Sequence, residues 1–194
     1  MKFVAAFASL AAASCATIPP QAQPDLFDNL SALCGQAFEG RIASPPVEAD
    51  ASFAGKRLVM HVRECSADTI RVPFHVGDDH SRTWVVTRTA AGYRLKHDHR
   101  HQDGSEDKIT QYGGDSVPPG TSVRQLFPAD PFTKALLIRE GNVAGAANVW
   151  ALEVHPRRLF AYELRRPNRF FRVEFDLTRP VTPPPPPWGS GPQG

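Results

Sequence analysis

From residue 58 to residue 177 the chain alternates apolar and polar positions in many short runs. A period of two belongs to strands that bury one face. The runs cover 58–62, 70–76, 83–89, 93–101, 109–112, 123–127, 136–139, 149–154, 160–164 and 171–177. Turn formers separate them: Asp78-Asp79, Ala91-Gly92, Asp103-Gly104, Gly113-Gly114, Pro118-Pro119-Gly120, Glu140-Gly141-Asn142 and Pro156. The pattern predicts a mainly β fold, an antiparallel meander of about ten strands. A meander this long protects its edges by closing into a barrel or, alternatively, by folding into a sandwich. Ahead of it, Leu26, Phe27, Leu30, Leu33 and Cys34 recur at helical spacing after Asp25, and Gly35 is a stop, so a short N-terminal helix is expected.

The same alternation assigns faces. Phe171, Val173, Phe175 and Leu177 point to a core, while Arg172, Glu174 and Asp176 point away. Phe160, Tyr162 and Leu164 repeat the pattern against Ala161, Glu163 and Arg165. The charged set is expected to form a solvated outer ladder whose opposite charges pair across strands.

The two ends of the chain differ from this middle. Lys2 followed by an apolar run to Ala13 is too short to span a bilayer and has the form of an export signal. Residues 16–24 form a polar, proline-containing tether, 25–180 a single β-rich domain, and 181–194 a proline-rich tail with Pro183 to Pro187 preceding Trp188. That tail is expected to be an extended, stiff segment outside the core. Of three cysteines, Cys34 and Cys65 are candidates for a disulfide in an oxidising compartment, the alternative being two buried thiols. With 41% hydrophobic and 22% charged residues the chain is ordinary globular material. Its net charge is +2, of which Lys2 contributes one, so nothing points to nucleic acid or to an acidic lipid surface.

Candidate chemistry concentrates in residues 93–101. On a strand, Tyr93, Leu95, His97, His99 and His101 share one face, and Arg94, Lys96, Asp98 and Arg100 share the other. Histidines thus continue an apolar row inward. His97, His99 and His101 are candidate ligands for a divalent metal such as zinc, with Asp103, His61, His75 and His155 as further donors. Alternatively Tyr93, His97, His99 and Tyr112 form a polar patch that hydrogen-bonds a small ligand in a barrel mouth, or the histidines are structural. The acidic loop at Asp103, Glu106 and Asp107 reads as a hairpin turn rather than a calcium loop. No nucleophile elbow or other catalytic motif accompanies these residues.

Ala12-Ala13-Ser14-Cys15 resembles the lipobox of bacterial lipoproteins. The resemblance implies a lipid on Cys15 and attachment to the periplasmic side of a bacterial membrane, most simply the outer one. Ordinary cleavage after Ala16 would instead release a soluble periplasmic or secreted protein. The succession of signal, short helix, long meander and proline-rich tail resembles a calycin-type barrel, of which lipocalins are the familiar members, over about residues 36–180. That implies a non-enzymatic barrel holding a small apolar or amphipathic ligand, with the membrane reached only through the lipid and with no nucleic-acid partner. A metal-dependent enzyme centred on His97 and His99, and a structural or scaffolding lipoprotein, are the competing expectations.

Overall fold

The computed structural model describes residues 25–118 and 120–191. Cys15 and the signal segment lie outside the described residues. The chain forms a nearly closed antiparallel β-barrel, mainly β and compatible with a calycin-like architecture. The strands are β1 (Ala37–Ile42), β2 (Leu58–His61), β3 (Glu64–Cys65), β4 (Thr69–Val76), β5 (Asp79–Thr89), β6 (Gly92–His99), β7 (Tyr112–Asp115), β8 (Arg124–Pro128), β9 (Val149–His155), β10 (Leu159–Arg166) and β11 (Arg169–Val181). Ten of them follow the order β7-β6-β5-β4-β2-β1-β11-β10-β9-β8, and the two-residue β3 pairs with β4 to the side. Between β7 and β8 the ladder reduces to one bridge, Val117 to Leu126. The Asp130 N–H adds a bond to the Gly113 carbonyl at 2.9 Å.

Two sequence expectations are corrected here. Gly113-Gly114 is not a turn but the middle of β7. A Cβ on Gly113 would lie 1.9 Å from the Leu95 oxygen, and one on Gly114 would lie 1.9 Å from the Pro128 oxygen. Only glycine lets β7 approach both of its neighbours this closely. Residues 136–139 are not a strand but the end of helix α2 (Pro131–Arg139). Asp130 caps it by accepting from the Thr133 N–H at 2.8 Å, and Pro131 sits in its first turn. Thr133, Leu136 and Leu137 are its buried face. The strand β1, whose alternation is interrupted by Gly40, went unread. Gly40 lies under the Phe175 ring, which would be 2.6 Å from any Cβ there.

The short N-terminal helix is present, but it ends at Ser31, and Leu33 and Cys34 lie in the turns that follow it. In α1 (Leu26–Ser31), Asp25 and Asp28 form a capping box, and Arg88 of β5 bonds both carboxylates. Leu26, Phe27 and Leu30 pack into the main core, so α1 covers one end of the barrel. The Cys34–Cys65 disulfide, with Cα atoms 6.3 Å apart, ties the turn after α1 to β3.

Inside, Phe38, Met60, Ile70, Val86, Leu95, Leu152, Val154 and Phe160 fill the half next to α1. Outside, the charged ladder is present across β8 to β11. Glu163, however, is only 2% exposed, and its carboxylate accepts from the guanidinium groups of Arg124, Arg165 and Arg172. Burial opposes ionisation of Glu163, but the three arginines outweigh it and hold its carboxyl at about 2. The proline-rich tail does not project freely at its far end: Pro187 is buried, and the Trp188 N–H donates to the His80 carbonyl at 3.0 Å. Among the described residues no helix is long and apolar enough to cross a membrane.

Candidate functional site

The inward rows run from the α1 end toward the opposite end, and there they stop filling the barrel. Phe74 (β4), Trp84 (β5), His97 and His99 (β6), Tyr112 (β7), Trp150 (β9), Tyr162 (β10) and Phe171 (β11) surround a cavity of about 240 Å³. Phe53, Ile109, Leu137, Asn142 and Asn148 border it from loops and from α2. Arg82, Arg166 and Arg169 complete its wall. An apolar cavity of about 150 Å³ holds one benzene, so this one has room for a ring with a polar substituent.

The floor is aromatic. The Trp84 ring lies nearly parallel to Phe74 and Tyr162, at centroid distances of 4.7 and 4.5 Å. His97 stacks on Tyr112 at 4.4 Å. Offset ring packing of this kind adds stability beyond the area it buries. It also leaves flat ring faces and edges around the space.

A hydrogen-bonded chain runs through the same wall. His97 Nδ1 lies 3.0 Å from the Tyr112 carbonyl oxygen. A carbonyl only accepts, so Nδ1 carries the proton and Nε2 accepts from the Tyr162 hydroxyl at 2.9 Å. The Trp150 ring packs beside His97 and Tyr112, its centroid 5.1 Å from the first and 5.6 Å from the second. The Tyr112 hydroxyl meets His99 Nε2 at 3.1 Å. Burial pushes His97 down to about 3, and burial with the nearby Arg82 charge pushes His99 down to about 4. Burial pushes Tyr112 up to about 12 and Tyr162 well above its usual range. All four are therefore neutral at pH 7. His97 spends both ring nitrogens on Tyr112 and Tyr162, and the fixed charge of the site comes from the arginines.

Of the expected ligand-binding residues, the fold brings His97, His99 and Tyr112 together at the cavity. Tyr93 stands at the other end of β6, near Asp25 and Arg88. Of the expected metal ligands, His97 has both ring nitrogens occupied by protein partners, and His101 lies past the end of β6, exposed and 3.8 Å from Asp107. Among the described residues no three His, Cys, Asp or Glu side chains converge on one point. The acidic loop is engaged locally: Asp103 accepts from Ser105, Glu106 pairs with Arg100, and Asp107 accepts from the Ile109 N–H.

Trp84, Trp150 and the three arginines were not singled out from sequence. The signal was present in parity. Arg82 continues the row of Trp84 and Val86, Arg166 that of Tyr162 and Leu164, and Arg169 that of Phe171 and Val173. Each is a polar residue at the mouth end of an inward row, as the neutral His97 and His99 are.

Compared with protein-family models, with curated proteins and with solved structures, the chain matches none.

Proposed function

We propose that this chain is an exported, lipid-anchored barrel that binds a small amphipathic ligand in its mouth cavity without catalysing a reaction. The observation that carries the reading is the 240 Å³ space, walled by rings and by a neutral hydrogen-bonding chain, in a barrel whose other half is filled by buried apolar side chains. Concave, mostly apolar space with a few convergent polar groups is what small-molecule sites share. The short signal-like segment and the lipobox-like Ala12-Ala13-Ser14-Cys15 support export and a lipid on Cys15. A Cys34–Cys65 disulfide suits the oxidising side of a bacterial inner membrane. In this reading the calycin-like barrel stands off a membrane on residues 16–24 and meets that membrane only through the lipid.

Native and denaturing mass spectra of the chain, expressed with its leader in a Gram-negative bacterium, test these points together. The expected result is an acylated N-terminal Cys15, a mass two hydrogens short at Cys34 and Cys65, and an organic adduct of one molecule per chain. Leu164 also lines the cavity, and the adduct should disappear in Leu164→Trp, which fills it. An adduct that survives Leu164→Trp, or a stoichiometric bound metal in its place, would overturn the ligand-barrel reading. An unacylated chain beginning at Thr17 would overturn the anchor.

A further inference from the structure

Arg166 and Arg169 are direct cross-strand partners at the end of the β10–β11 hairpin, and both border the cavity. Like charges placed directly opposite each other destabilise a sheet unless something compensates them. Asp50 compensates one: its carboxylate pairs with Arg169 and is almost fully buried. Arg82 is likewise matched by Asp79, 2.5 Å away. Arg166 has no acidic partner among the described residues. It donates only to the Asn148 side-chain oxygen, at 3.3 Å. No Asp or Glu is among the residues that line the cavity.

Resting on the ligand-barrel reading, we propose that the cavity selects a small organic anion, a carboxylate on a planar aromatic body, with the carboxylate on Arg166 and the ring among Trp84, Tyr112 and Trp150. A guanidinium presents a flat pair of N–H donors that matches a carboxylate in two parallel bonds. Burial first and then the neighbouring Arg169 disfavour the Arg166 charge, the Asp50 carboxylate offsets them in part, and an anion in the cavity would complete that compensation. The neutral histidines and tyrosines add no negative charge that would repel it. The volume limits the body to about one ring with its substituent.

Benzoate and benzyl alcohol are matched probes, similar in shape and differing in charge. Their dissociation constants can be read from the Trp84 and Trp150 indole N–H shifts in NMR titrations of the purified chain at low salt. A charge-assisted hydrogen-bonded pair predicts benzoate tighter by about tenfold or more. Arg166→Gln should bring the two within about twofold, and Arg166→Lys should keep part of the preference, because it restores charge without the flat fork. Should Arg166→Gln fail to fold, salt serves in its place: in the unaltered chain, added sodium chloride should weaken benzoate and leave benzyl alcohol unchanged. Equal affinities in the unaltered chain, or a preference that persists in Arg166→Gln, would overturn the anion assignment while leaving the cavity reading intact. If neither probe moves the indole signals, the cavity reading fails and takes this assignment with it.

Discussion

His75 buries both ring nitrogens without a hydrogen-bond partner among the described residues. It faces outward from β4, its ring against His80 at 4.6 Å. Burial pushes it down to about 4, helped by the His80 and His61 charges and opposed by Asp79. Its folded value is thus depressed below the ordinary histidine value of about 6.5. Between those two values the unfolded chain takes up a proton that the folded chain refuses. Stability from this residue is therefore complete above about pH 6.5 and is lost as pH falls toward 4. His99 and His97 act in the same direction, over windows reaching down to about 4 and about 3. The carboxylates Asp79 and Glu163, held at about 2, contribute to the same acid loss only below their unfolded values near 4. Replacing His75 with leucine removes two unsatisfied nitrogens and should stabilise the fold by about 1 kcal/mol at pH 7. It should also flatten the decline between pH 6.5 and 4. Urea unfolding at pH 7 and pH 5 checks both, and an unchanged pH slope would show that His75 is not desolvated as described. From sequence, His75 appeared only as a distant donor. Nothing in its neighbours in the chain indicates that His61 and His80 from other strands lie beside it.

At the scale of elements, alternation located most of the barrel because a half-buried strand writes its period directly into the chain. It misled where a run was short. Leu136-Leu137-Ile138 is apolar in either a strand or a helix, and Asp130-Pro131 before it is the start signal that separates the two. It also misled at glycine, which marks turns but equally marks close backbone approach. Gly114 shows the second use. A methyl group there meets backbone of Pro128 and Asp130, not a side chain that can swing away. Gly114→Ala should therefore push β7 off the segment that leads into α2. The expected cost is roughly 1–3 kcal/mol, with faster hydrogen exchange at the Asp130 N–H as the barrel seam opens. Full protection of that amide in the variant would contradict the account of closure.

For the whole molecule, the barrel is closed by different means at its two ends, and this asymmetry makes the cavity. At one end α1, pinned by Arg88 and by the Cys34–Cys65 disulfide, adds Leu26, Phe27 and Leu30 to the core. A bridge of this span contributes about 3–4 kcal/mol through the unfolded chain. At the other end only loops and the edge of α2 approach, and the inward rows finish in His99, Arg82, Arg166 and Arg169 instead of more apolar bulk. The histidine part of that pattern was legible in residues 93–101. The arginine part was equally encoded but looked like the outer ladder, because the chain gives no direct sign of where a strand leaves the core for the mouth. How Arg166 comes to face Arg169 depends on hairpin register, which pattern alone does not specify.

The most direct measurement is a crystal structure of the chain purified from the bacterial envelope, inspected at the mouth cavity. The account predicts non-protein density of about one substituted ring, in contact with Trp84, Tyr112 and Trp150 and reaching Arg166. Finding the Phe53 and Arg82 side chains folded into that space, with no room left beside Trp150, would contradict it.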